Sequence, residues 1–319
     1  MVRCTMRRLG GVAIKAPVSA IVMAACRVGP RHTFIPATRC RRIVYNVLIT
    51  GAHGTVGTAL RHQLAENAAY AFSYTDRHAN DTVDTHVADM GDYEALRPAF
   101  EGQDAVVHLG WDTTLNYRST DVRWTSELSE NLVGTVNVFQ AALAAGLEKV
   151  IFASSVHVAG MIELANRPEI YEADHGICAE PSDLQPDSMY AVAKAFGEAL
   201  GRFCTAYHGL RCYCLRLGGV LPVGYDHPYG SAELAVEHGN VERGSQAYRQ
   251  RADHMKAMWL SHRDLAELVD CCLRDDAVQF GIYYGLSDNA TRWFPLEPAR
   301  NDLEYRPNDD GTSWDGPPA

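Results

Sequence analysis

From residue 43 onward, short apolar runs alternate with longer stretches whose apolar positions recur at helical spacing. The runs 43–50 (IVYNVLIT), 104–109 (DAVVHL), 149–154 (KVIFAS) and 212–217 (CYCLRL) are apolar almost throughout, as in strands covered on both faces. Further strands are predicted at 70–76 (YAFSYTD), around 84–89 and at 281–286. Helices are predicted from the glycine-rich turn to about Glu66, over 121–145, 188–208 and 261–274, and near 296–304, with Ser261 as an N-cap. Strands that alternate with helices imply parallel βαβ units and an α/β fold with a doubly wound parallel sheet. Residues 221–256 hold Pro222, Pro228 and several glycines with little periodicity. They are predicted to be irregular loop and short helices over the carboxyl ends of the strands. Residues 219–260 and 281–306 would then make a small C-terminal substrate lobe.

Charge divides the chain. Residues 1–42 hold nine basic residues and no acidic one, so 43–319 carry 20 basic against 39 acidic, a net of −19. Only Lys149, Lys194 and Lys256 follow residue 42. An acidic, lysine-poor surface stays hydrated in strong salt, and it argues against a nucleic-acid partner. The basic segment reads as a transit-type peptide, a signal peptide or an extension upstream of the true start, and is expected to be disordered. No run approaches a membrane span. The nine cysteines form no C-x-x-C pair, so no metal site is suggested; buried free thiols fit a cytoplasmic enzyme.

The first strong apolar run leads into GAHGTVG, Gly51 to Gly57, and then a helix. In that context the glycines suit a dinucleotide. Gly51 permits the tight turn, Gly54 lets backbone N–H groups reach a pyrophosphate, and Gly57 lets helix and strand pack closely, with Thr55 and Val56 opening the helix. Asp76 ends the second strand, 19 residues after Gly57. A carboxylate there accepts from a ribose 2′-hydroxyl and favours NAD over NADP, while Arg77 could soften that preference. Asp89 and Met90 would flank the adenine, and Leu109 and Gly110 close the fourth strand beside the cofactor.

Tyr190 and Lys194 stand at i and i+4, on one helix face, 35 residues beyond Ser155 at the end of the fifth strand. A cation beside the phenol is expected to lower its pKa and make it a usable base.

With these motifs, residues 43–319 resemble the extended short-chain dehydrogenase/reductase superfamily, the NAD-dependent epimerases and dehydratases. The resemblance implies a Rossmann-like sheet with Ser155, Tyr190 and Lys194 as the catalytic residues. It also implies that Asn131 of ENLVGT helps to hold the lysine through water. The strings FASSVH (152–157), PDSMYAVAKAFGE (186–198), MWLSHRD (258–264) and YYGLSDN (283–289) are most similar to the uronate and aldose 1-dehydrogenase branch. That branch oxidises C1 of a cyclic sugar to a lactone.

Residues matching its substrate positions are Thr113, Ser155, His157, Gly219 and His254. Two of these depart from the uronate pattern: His254 stands where those enzymes carry a carboxylate-binding Arg, and Gly219 where they carry Ser. Arg249 and Arg251 are near enough in sequence to replace that Arg. The departures favour a neutral aldose over a sugar acid or sugar phosphate. Trp111 would stack on a sugar or fill the core. Two alternatives stay open: a sugar-nucleotide epimerase or dehydratase, and a non-catalytic NAD(P)-binding regulator. Relatives of this kind pair through helices such as 121–145 and 188–208, so a homo-oligomer is expected.

Overall fold

The computed structural model describes residues 44–112, 124–172 and 174–318. The predicted disorder of 1–42, and Thr113, lie outside the described residues.

The first apolar run forms β1 (Tyr45–Thr50), and the glycine turn feeds α1 (Thr55–Leu64). β2 (Tyr70–Asp76), a short β3 (His86–Val87), α2 (Tyr93–Leu96) and β4 (Ala105–His108) follow. Then come α3 (Trp124–Ala145), β5 (Lys149–Ser155), α4 (Met161–Asn166), α5 (Met189–His208) and β6 (Arg211–Leu217). The chain continues through α6 (Gly230–Glu237), α7 (Gln246–Met258), α8 (His262–Arg274), β7 (Phe280–Gly285) and α9 (Glu297–Asp302).

Among the described residues the strands build one parallel sheet in the order β3-β2-β1-β4-β5-β6-β7. This is the predicted doubly wound, Rossmann-like arrangement. The winding reverses between β1 and β4, which opens a crevice at the strands' carboxyl ends. Alternation along each strand sends side chains to two separate cores. Val47, Ile49 and Val107 pack with α1 and α8, while Leu48, Val106 and Phe152 pack with α3 and α5. Each such side chain contributes roughly 1.5–3 kcal/mol by leaving water. Ser261 caps α8 as predicted, its Oγ accepting from Asp264 N at 3.1 Å.

One prediction needs correcting. The stretch 221–256 is not mainly loop, because α7 runs for 13 residues within it and just past it. Ser245 caps that helix, and Tyr248, Ala252, Met255 and Met258 bury one face at helical spacing. The signal was present but was masked by the charged residues between. Among the described residues no helix is long and apolar enough to cross a membrane.

Candidate active site

A cavity of about 800 Å³ follows the carboxyl ends of the strands, running from the glycine turn and Asp76 past Ser155 and Tyr190 to His254 on α7. At its first end Gly51 has φ +67°, and a Cβ there would lie 2.6 Å from the Gly110 nitrogen. A Cβ on Gly57 would lie 2.4 Å from the Gly51 carbonyl oxygen. Both positions therefore admit only glycine. Gly54 is the N-cap of α1 and offers no side chain to the helix's first N–H groups, and the first turn, with Thr55 and Val56, has no acidic residue. Those groups and the helix dipole are left to face an anion. The residues fit the pyrophosphate of a dinucleotide.

Asp76 Oδ2 accepts from His53 N at 3.0 Å, so the carboxylate braces the glycine turn at the ribose end. Arg77 beside it is committed to Asp112 through two bonds of 2.9 and 3.3 Å. Asp89 and Met90 line the same end. Asp89 Oδ1 accepts from Gly91 N at 2.7 Å, and Met90 presses against Gly134, where a Cβ would meet its Cγ at 2.4 Å. Leu109 and Gly110 line the centre. Gly110 N donates to Thr50 Oγ1, which lies 2.8 Å from His108 Nδ1 and shares a hydrogen bond with it. Burial, aided by the Lys194 charge, pushes the His108 imidazole down to about 3.

Ser154 and Ser155 are neighbours with opposite fates, since adjacent strand residues face opposite sides. Ser154 donates at 2.6 Å to Glu198, which forms a buried bidentate pair with Arg216. Ser155 Oγ accepts from His157 N at 3.2 Å, and its hydroxyl hydrogen-bonds the Tyr190 phenol. That bond lowers the phenol's pKa, as a serine hydroxyl that donates to the phenolate does.

Burial raises the Tyr190 pKa, opposed by the Ser155 bond and reinforced by the Asp187 charge. The predicted lowering by Lys194 is not found. Lys194 Nζ donates to Ala153 O at 2.7 Å and lies 3.9 Å from the centre of the Trp111 ring, and burial pushes it down to about 7. Trp111 also meets Tyr190 edge-on at 5.3 Å, so its ring touches both candidate catalytic side chains. Asn131, expected to hold Lys194 through water, brackets the Asp112 peptide. Its Oδ1 accepts from Asp112 N at 2.8 Å and its Nδ2 donates to Asp112 O at 3.3 Å.

A family model described as "NAD dependent epimerase/dehydratase family" matches residues 47–279. The chain belongs to that family. It is 33% identical over 279 residues to the NAD-dependent glucose-6-phosphate dehydrogenase of Haloferax volcanii, covering 84% of this chain and 95% of that one. It is 32% identical to the L-arabinose 1-dehydrogenase (NAD(P)(+)) of the same organism, covering 84% of this chain and 98% of that one. The uronate dehydrogenase structure from Agrobacterium tumefaciens superposes with a TM-score of 0.65 at 24% identity, covering 87% of this chain and 92% of that one. As an epimerase/dehydratase-family member of the extended short-chain dehydrogenase/reductase kind, the protein is an NAD(P)-dependent enzyme.

At the far end this family member differs from its sequence expectations. Arg249 and Arg251 are exposed and do not line the cavity, so neither replaces the missing Arg. Gly219 lines the cavity, but a Cβ there would lie 2.5 Å from Met255 Sδ, which fills the space a serine would need. His157 and His254 both line it, each with a carboxylate partner that sequence reasoning missed. His157 Nδ1 lies 2.6 Å from Asp187 Oδ2, and His254 Nδ1 lies 2.9 Å from Glu163 Oε1. Gly160 makes room for the first pair, since a Cβ there would lie 2.2 Å from Asp187 Oδ2.

Proposed function

We propose that the protein is a sugar 1-dehydrogenase, oxidising C1 of a cyclic aldose to a lactone. The observation that carries this reading is the Ser155–Tyr190 hydroxyl pair, which opens on the same cavity as the glycine turn. The two Haloferax relatives are both sugar dehydrogenases by name, which supports the same chemistry. NAD, held by the glycine turn and Asp76, would supply the acceptor for the hydride from C1. Tyr190, as the phenolate, takes the proton of the C1 hydroxyl and becomes the neutral phenol. Ser155 donates to the same oxygen and fixes its position. Lys194, one helical turn after Tyr190 and lining the same cavity, would hold the cofactor ribose. The substrate would lie toward His157, Gly219 and His254.

The carboxylate of Asp76 and the engagement of Arg77 support NAD as the preferred cofactor, with NADP used less well. The buried, unbridged Cys204, Cys212, Cys214, Cys271 and Cys272 support a cytoplasmic enzyme. Association as a homodimer is supported by the outer faces of α3 and α5. These helices pack together and expose Val133, Val136, Val192, Phe196, Phe203 and Tyr207.

The test is NADH formation by the full chain in strong salt with free aldoses, uronates, sugar phosphates and UDP-sugars. Turnover with a free sugar supports the reading. Conversion of UDP-sugars alone, without net NADH, would replace it with epimerase chemistry.

A further inference from the structure

The end of the cavity beside Ser155 and Tyr190 has an unusual charge. Of the cationic side chains among the described lining residues, Arg77 lies at the Asp76 end and is paired with Asp112. Lys194 is buried against Trp111 and bonded to Ala153. What faces the far end is two histidines, each with Nδ1 on a carboxylate. A carboxylate can only accept, so each Nδ1 carries the proton, and Nε2 of the neutral ring is an acceptor. Each pair is then singly negative; with the ring protonated it is neutral. In neither state do the described residues of the far end hold a net positive charge.

The Glu163–His254 pair is built to persist. Glu163 is buried on α4, and the Tyr171 hydroxyl donates to the same Oε1 that His254 uses. The Tyr171 ring meets His254 edge-on at 6.0 Å and packs against Trp293 at 5.9 Å. Burial alone would raise the Glu163 carboxyl. The bond and charge of His254, the Tyr171 hydroxyl and the charge of His157 outweigh it, and the group titrates below its ordinary value. Glu163 therefore stays ionised at neutral pH. Arg167 hydrogen-bonds Tyr171 but is exposed and does not line the cavity.

We propose that these two histidine–carboxylate pairs, Glu163–His254 above all, select an uncharged aldose, hydrogen-bonding its hydroxyls while the carboxylate behind each ring leaves no net positive charge for a carboxylate or phosphate. The inference rests on the sugar-oxidation reading and narrows it. Glu163 is a specificity-determining residue that acts through His254. An anionic group beside it meets like charge in a partly dehydrated wall, which costs far more than in open water.

The experiment compares kcat/KM of the full chain for neutral pentoses and hexoses with that for the matching uronates and 6-phosphates. The best neutral aldose should exceed any anionic sugar by about tenfold or more. Glu163→Gln, nearly isosteric, should raise KM for the neutral sugar and narrow the neutral-to-anionic ratio several-fold, with kcat changing less than KM. A wild-type preference for a uronate or sugar phosphate overturns the inference but leaves sugar oxidation standing. An unchanged ratio in a folded Glu163→Gln enzyme also overturns it. Absence of NADH with every free sugar overturns both readings. The wild-type comparison decides the matter even if the variant does not fold.

Discussion

Arg77 and Asp112, 35 residues apart in the chain, form a bidentate ion pair between the loop after β2 and the loop after β4. Those strands flank β1, so the pair spans the crevice above the glycine turn. The bond to Asp112 holds the guanidinium protonated even more firmly than usual. It also engages the basic side chain that follows Asp76, the residue expected to meet a ribose 2′-hydroxyl. Asp112→Asn should therefore release Arg77 and raise the NADP-to-NAD ratio of kcat/KM several-fold. Thermal stability should fall by no more than about 1 kcal/mol, since the Arg77 side of the pair is exposed and Asn131 still holds the Asp112 backbone. An unchanged cofactor ratio would show that Arg77 has no part in the preference.

The two adjacent serines should separate function from stability. Ser155→Ala and Tyr190→Phe should each cut turnover by about 10²-fold or more, with NAD affinity changed little. Ser154→Ala should keep turnover and cost about 1 kcal/mol of unfolding free energy, because it removes only one of the bonds to the Glu198–Arg216 pair. Steady-state kinetics beside denaturant unfolding checks all three. Equal activity losses at 154 and 155 would contradict the assignment.

Acid should act through His108. Its folded pKa of about 3 lies well below the ordinary value of 6.5. Between those limits the unfolded chain binds the extra proton. Stability from this group is therefore complete above pH 6.5 and falls as the pH drops toward 3, by about 1.4 kcal/mol per unit. In His108→Asn the slope should be shallower by that amount. Unfolding at pH 6, 5 and 4 measures it, and parallel curves for the two proteins would refute it.

The α3–α5 face makes a prediction about assembly. Phe196 and Phe203 lie on one stripe of α5, exposed to 38% and 51%, an arrangement suited to a two-fold axis that sets the stripe against its own copy. Light scattering in strong salt should give twice the chain mass of 35.1 kDa. Phe196→Glu with Phe203→Glu should halve it. A wild-type monomer would leave the stripe without the proposed role.

Much of the architecture was legible along the chain because it rests on local rules. Apolar runs of strand length, glycine where a turn needs positive φ, and Tyr190 four residues before Lys194 are readable one segment at a time. The α7 helix was readable in principle, from Ser245 and the spacing of Tyr248, Ala252 and Met255, but charged residues diluted its pattern. The far end of the cavity was not readable. The absence of an Arg at 254 was visible, but its consequence was not, because Glu163 reaches His254 across 91 residues of sequence.

The sequence by itself determined the alternation of strands and helices, the glycine turn and the serine, tyrosine and lysine that the fold brings to one crevice. Only the tertiary structure decided which neighbours those side chains meet. It placed Lys194 against Trp111, Asn131 on the Asp112 backbone, Arg77 on Asp112, and a carboxylate behind each cavity histidine. The physical reason is range: backbone preferences act over a few residues, whereas ion pairs and hydrogen bonds act through space between segments that only folding brings together.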